Sequence, residues 1–268
     1  MNFAFTEEQD ELRSSVRRFL EDKSPSTEVR RLMETTEGYD PAVWDQMANQ
    51  LGLQGLAIPE EFGGSGYTFI ELGIVLEEMG RSLLCAPFFS SAVLATAALL
   101  TSGDDNAKKE YLPGIASGET IATVAFTEDN GRWDAEGITL QATQNGDGYS
   151  LTGTKMFVLD GHTATLLIVA ARTDAGVSLF AVDATASGVT REALNTMDQT
   201  RKQARITFES APARLIGSDG AGWDTLGKTL DLAAVALANE QVGGAQKVLE
   251  MSVDYAKVRV QFGRPIGS

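Results

Sequence analysis

The hydrophobic period of this chain changes twice, and each change marks a change of architecture. From Thr6 to about residue 120, apolar residues recur three and four apart, as on a helix with one buried face. Thr6 and Gln9 form a capping box that opens a helix carrying Leu12, Val16, Phe19 and Leu20. Asp40-Pro41 is a second start, with Trp44, Met47 and Leu51 on one face and Gly52 as the stop. Thr68 and Glu71 make another capping box, leading into Leu72, Val75, Leu76 and Met79. The run Phe88–Leu100 is apolar or small on every side, which predicts a buried helix too short to span a bilayer. A short helix around Asn106–Leu112 is expected to end at Pro113-Gly114.

From Ile121 the period becomes two. Strands are predicted at Ile121–Phe126, Ile138–Thr143, Tyr149–Thr154, Leu166–Ala171, Val177–Val182 and Ala204–Phe208. Turn residues separate them, notably Asn145-Gly146-Asp147-Gly148 and Thr173-Asp174-Ala175-Gly176. Short strands without intervening helices predict an antiparallel barrel or sandwich rather than a doubly wound sheet. At Gly220-Ala221-Gly222 the helical period returns and runs from Trp223 to about Val260, interrupted only at Gly243-Gly244. A helix of that length is ~57 Å long. Its apolar face (Leu226, Leu230, Leu237, Val248, Leu249) needs a partner. The third domain is therefore expected to be cut short here, or completed by another chain. The expected fold class is multidomain α and β: a helical domain over 1–120, a β domain over 121–218 and the start of a C-terminal helical bundle over 219–268.

Charge and composition narrow the function classes. Lys and Arg number 22 against 37 Asp and Glu, for a net charge of −15. Such a chain is a poor ligand for nucleic acid or anionic membrane, because phosphate binding needs clustered cations. The single cysteine, Cys85, forms no internal disulfide and no Cys-rich zinc site. The single histidine, His162, excludes a His-pair metal site and is read as an exposed turn residue. The expectation is a soluble, cytoplasmic protein with no metal and no membrane span.

Three stretches carry a resemblance. Gly52-Leu53-Gln54-Gly55-Leu56-Ala57-Ile58-Pro59-Glu60-Glu61-Phe62-Gly63-Gly64-Ser65-Gly66, followed by Glu77-Glu78-Met79-Gly80-Arg81, resembles the N-terminal signature of the acyl-CoA dehydrogenase family. Tyr149-Ser150-Leu151-Thr152-Gly153-Thr154-Lys155 is similar to the strand and turn before the family's flavin-facing loop. Tyr255-Ala256-Lys257-Val258-Arg259-Val260-Gln261-Phe262-Gly263-Arg264-Pro265-Ile266 resembles its second signature.

The resemblance implies FAD as cofactor, an acyl-CoA thioester as substrate and removal of hydrogen across the α and β carbons. It also implies an electron-transfer flavoprotein or similar acceptor, and a homo- or hetero-oligomer, commonly a tetramer. Phe126 and Thr127 are implied flavin contacts at a strand end. Phe157 and Leu159 stand in the loop that packs against the flavin, where Phe157 supplies an apolar ring face. Arg259, Gln261 and Phe262 match positions that reach the FAD of a neighbouring chain, and a guanidinium suits its pyrophosphate. Ser90, Val93, Leu94 and Asp231 are candidate substrate contacts.

The chain also departs from the family pattern. Trp133 stands where a serine commonly helps hold pyrophosphate or substrate, and an indole cannot do the same hydrogen bonding. Leu159 replaces a hydroxyl residue. Where some members carry a glutamate base on the long helix, this chain has Ala233, followed by Ala234 in place of a common arginine. Asp231 and Glu240 are the nearest acids on that helix, and neither is assigned as the base. The catalytic residue is thus left unknown. A non-catalytic partner subunit, for instance for a bulky steroid-type thioester, and an oxidase-like relative stand as alternatives.

Overall fold

The computed structural model describes residues 4–146 and 148–268. Asp147, in the turn expected at Asn145–Gly148, and Met1–Phe3 lie outside the described residues.

The first half is helical, in the order α1 (Glu7–Lys23), α2 (Ser26–Met33), α3 (Pro41–Asn49), α4 (Phe69–Ser82), α5 (Thr96–Thr101) and α6 (Asp105–Ala116). The local signals act as expected. In α1 the Thr6 hydroxyl accepts from the Gln9 N–H and the Gln9 side chain accepts from the Thr6 N–H. Thr68 and Glu71 close the same reciprocal box on α4, and Asp40 caps α3. Four features differ from expectation. α2 starts after Pro25 with no side-chain cap, so no local signal announces it. Pro113 lies inside the last turn of α6 rather than ending it. Phe89–Ala95, expected as α-helix, is wound as a π-helix and is buried throughout. His162, expected to be exposed, is half-buried, with Nε2 2.8 Å from the Thr36 carbonyl.

The middle of the chain holds β1 (Ala122–Ala125), β2 (Gln141–Asn145), β3 (Gly148–Leu159), β4 (Leu166–Thr173), β5 (Gly176–Asp183), β6 (Val189–Ala193) and β7 (Gln203–Ile216). Pairings β2–β3, β3–β7, β7–β5, β5–β4 and β4–β2 close on themselves, so the layer is a barrel, with β6 added along β7. Most neighbours are antiparallel, but β1 runs parallel to β4, with Ala122 opposite Leu166. That orientation follows from the β2–β3 hairpin lying between them in sequence, which supplies the crossover a parallel pair needs. β1 and Leu166–Ala171 of β4 are buried on both faces, which is why they read as unbroken apolar runs. β6, with Thr190, Arg191 and Glu192, is an edge strand whose composition gave no apolar alternation to detect.

A single helix, α7 (Gly222–Val258), follows and continues through Gly243-Gly244 without a break. Those glycines serve packing. A Cβ on Gly243 would lie 1.7 Å from the Glu77 carbonyl oxygen, and one on Gly80 would lie 1.9 Å from that of Glu240. Helices α4 and α7 thus meet backbone to backbone. A small hairpin of β8 (Val260–Gln261) and β9 (Arg264–Pro265) ends the chain. No helix among the described residues is long and apolar enough to cross a membrane.

Candidate functional site

The end of β1, the end of β3, the π-helical segment and the first half of α7 converge on one cavity of about 460 Å³. The barrel contributes Val124, Phe126, Thr127, Trp133, Phe157, Leu159 and Gln203; the helices contribute Phe89, Leu94, Leu230, Ala233, Ala234 and Leu237. No ionisable side chain lines it.

On the barrel side, β3 loses register against β7 between Lys155 and Val158, where one extra residue is inserted. At this bulge Phe157 takes a φ of 57°, a left-handed conformation disfavoured for a bulky residue. Strain of this kind, about 1–3 kcal/mol, persists where surrounding contacts enforce it. The result is a ring half exposed to the cavity instead of buried in the sheet. Opposite it, Trp133 meets Phe126 edge-on, with ring centroids 4.9 Å apart. Trp133 is presented on a braced loop: Arg132 bridges Asp134 and Glu136, and Asn130 donates to the Gly137 carbonyl.

Behind this wall lies a buried ion pair. Lys155, with no exposed surface, donates to Glu128 at 2.7 Å and to the Phe126 carbonyl at 3.1 Å. Burial pushes the Lys155 ammonium down to about 8, against the pull of Glu128. Burial pushes the Glu128 carboxyl up, but Lys155 and the donors of Thr139 and Leu140 outweigh it and hold the group below its ordinary range. The Met156 N–H also donates to the Thr127 carbonyl at 2.8 Å. Among the described residues, the N–H and hydroxyl of Thr127 have no hydrogen-bond partner.

A second polar group sits at the foot of β3. The Ser90 hydroxyl is 2.7 Å from Asp160, whose φ is 51°. Burial pushes the Asp160 carboxyl up to about 6, opposed by Ser90 and by Arg201. Arg201 stacks on the Phe89 ring, 5.0 Å from its centroid, and is ion-paired with Glu240. The other Glu240 oxygen is buried without a partner, and burial raises this carboxyl.

Of the residues singled out from sequence, the fold brings Phe126, Thr127, Phe157, Leu159 and Leu94 to one cavity, with Trp133, Ala233 and Ala234. Ser90 and Val93 do not line it: Ser90 is committed to Asp160, and Val93 is in the core. π winding, with i→i+5 bonds, brings Phe89 toward the face of Leu94, whereas α winding would set the two ~140° apart. Asp231 is exposed on α7 and off the cavity. Arg259, Gln261 and Phe262 are exposed around the β8–β9 hairpin and contribute nothing to this chain's own cavity. Sequence reasoning missed Phe89, Gln203, Leu230 and the Lys155–Glu128 pair. A lysine inside a strand pattern was the one available hint.

The profiles for the N-terminal, middle and C-terminal domains of acyl-CoA dehydrogenase match residues 6–119, 123–211 and 220–268 in that order. Helical domain, β barrel and long helix around one cavity thus define a flavoprotein oxidoreductase of lipid metabolism. The chain is 34% identical to acyl-CoA dehydrogenase IpdE2 of Mycolicibacterium smegmatis, over 98% of this chain and 69% of that protein. The chain belongs to the acyl-CoA dehydrogenase family. Among solved structures, a variant titled Tcur3481-Tcur3483 steroid ACAD superimposes with a TM-score of 0.86 at 33% identity, covering 98% of this chain and 70% of that one. The ChsE4-ChsE5 complex from Mycobacterium tuberculosis gives 0.89 at 30%, covering 100% and 71%.

Proposed function

We propose that the cavity takes the isoalloxazine end of FAD against its barrel wall and the acyl group of a CoA thioester against its helical wall, for α,β-dehydrogenation. The observation that carries this reading is the two-sided lining. Thr127 offers an N–H and a hydroxyl free of internal partners, and Phe157 and Phe126 offer ring faces, which suits a flat polar heterocycle. Leu94, Leu230 and Leu237 across the cavity suit an alkyl or ring-bearing acyl group. FAD, when bound, supplies the hydride acceptor for the hydrogen leaving the β-carbon. The chain's own residues exclude water and hold the two groups together. Arg259, Gln261 and Phe262, exposed at the far end of α7, are assigned to the FAD of a neighbouring protomer, with an electron-transfer flavoprotein or similar protein as acceptor.

The test is a visible spectrum of the purified protein, followed by anaerobic addition of acyl-CoA. Bound flavin that bleaches supports dehydrogenation. Flavin that stays oxidised with every acyl-CoA tried, in homomeric and co-expressed forms, sinks it. Stoichiometric peroxide in air points to the oxidase-like alternative.

A second reading rests on the lack of any ionisable lining residue, with Ala233 where a minority of members carry a glutamate base and Ala234 where many carry an arginine. In that reading the chain is the structural half of a heteromeric dehydrogenase, the base coming from elsewhere. The ChsE4-ChsE5 complex joins two named components, and the Tcur3481-Tcur3483 protein is titled a steroid enzyme. By analogy, a bulky ring-bearing acyl-CoA is the substrate class of this reading. Flavin retained only on co-expression with a homologous chain would favour it.

A further inference from the structure

We propose that Lys155 is a positioning residue for FAD: by holding the Phe126 carbonyl from inside the protein, it fixes the direction in which Thr127 presents its N–H and hydroxyl to the flavin ring. This rests on the flavin assignment above and concerns a residue that does not itself touch the cavity.

Three contacts stitch the segment after β1 to β3. Lys155 donates to the Phe126 carbonyl and to Glu128, and the Met156 N–H donates to the Thr127 carbonyl. Each lies within two residues of a cavity-lining side chain: Phe126 and Thr127 on one segment, Phe157 on the other. The carbonyl and the N–H of one trans peptide unit point in opposite directions, so a Phe126 carbonyl held by Lys155 leaves the Thr127 N–H facing away from the lysine. Glu128 has no slack. It accepts from the Thr139 N–H and hydroxyl and from the Leu140 N–H besides Lys155, which anchors the ammonium to the start of β2. The pair therefore ties three segments together at one buried point.

Stability alone does not account for such a pair. Removing two charges from water costs several kcal/mol per ion, and apolar replacements of buried pairs are often neutral or stabilising. What an ammonium adds that a methionine cannot is a directional hold on a carbonyl oxygen. A ring bound by two or three hydrogen bonds depends on such direction, because donors must stay within a few tenths of an ångström of their acceptors.

The experiment is a double-mutant cycle on FAD affinity, read by quenching of flavin fluorescence as apoprotein is titrated. Thr127→Val is expected to weaken binding about three- to tenfold, the loss of one hydrogen bond. The charge-neutral pair variant Lys155→Met/Glu128→Gln, which leaves no buried ion unpaired, is expected to weaken it about tenfold. Combining all three substitutions should cost no more than the pair variant alone, because the hydroxyl is no longer aimed. Losses that multiply would overturn the proposal, since a purely structural lysine predicts independence.

A second measurement needs no variant. Affinity of the wild-type protein should fall as pH rises through about 8, where the Lys155 ammonium, faced by the Glu128 carboxylate, loses its proton. Should the pair variant fail to fold, Lys155→Arg, which keeps a charged donor, is expected to retain more FAD affinity than Lys155→Met; equal affinities would overturn the proposal. Wild-type protein that takes up no FAD would instead overturn the flavin assignment itself.

Discussion

Ala233 aligns with a position at which a minority of the family carry a glutamate base. It lies buried on the cavity wall of α7, and no neighbour on that wall can take a proton. General-base catalysis contributes about 10²–10⁴-fold to a rate. Ala233→Glu is therefore expected to raise the rate of anaerobic flavin bleaching by acyl-CoA at least tenfold if the base is missing, as stopped-flow absorbance would show. An unchanged rate would mean that a base already reaches the substrate. Asp160 carries a different prediction. Its carboxyl titrates near 6 in the folded chain and near ~3.9 unfolded. Below pH 4 it is protonated in both states and costs nothing. As pH rises from 4 to 6 the unfolded chain ionises first, so this group's contribution to stability is lost across that window, on the order of 2–3 kcal/mol. Asp160→Asn should flatten this part of the pH profile, which urea unfolding at pH 4.5 and pH 7 would measure. Phe126 and Thr127 were singled out in advance by the family resemblance, which falls on a predicted strand end. Asp160, Arg201 and Glu240 were not, because nothing local marks residues that meet from a strand end, a loop and a helix.

Helices α1, α3 and α4 were announced by caps of their own, whereas α2 was not. Thr6, Asp40 and Thr68 each satisfy orphan N–H groups of the helix that follows, so α1, α3 and α4 start where those residues say. α2 has no side-chain cap and owes its existence to Val29 and Leu32, buried in a small cluster with Cys85. The strand β3 was expected to stop at Thr154, yet it continues to Leu159 past a bulge that tertiary contacts impose. Close packing of α4 on α7 gives the element-scale prediction. Gly243→Ala drives a methyl into the Glu77 carbonyl, and the helices must part. The expected loss is about 1–3 kcal/mol, visible as a lower thermal midpoint. Because α7 carries Leu230, Ala233 and Leu237, acyl-CoA affinity should fall with it. A variant with unaltered midpoint would show that the helices have room to give.

For the whole molecule, the far half of α7 is the open question. Val242, Val248, Leu249, Met251, Val253 and Tyr255 are exposed there, next to Arg259 and Phe262. These apolar side chains lie on opposite sides of the helix, and a helix apolar on more than one face is expected to be covered by other protein. Leu249→Lys should shift the protein toward smaller species in sedimentation velocity; no change would place the interface elsewhere. If Arg259 grips a neighbour's FAD by a charged hydrogen bond, Arg259→Ala should cost about 1.5–3 kcal/mol of FAD binding. Flavin content equal to wild type after gel filtration would remove Arg259 from the site.

The helical first half, the β middle and the long last helix follow from short-range causes: caps, turn residues and the spacing of apolar side chains along a few turns. Each acts within about four residues of itself, so each is written in the local pattern. The closure of the barrel, the parallel course of β1 beside β4, the π winding that turns Phe89 toward Leu94 and the burial of Lys155 against Glu128 arise otherwise. They depend on segments tens of residues apart coming into contact, and the cavity exists only where those contacts meet.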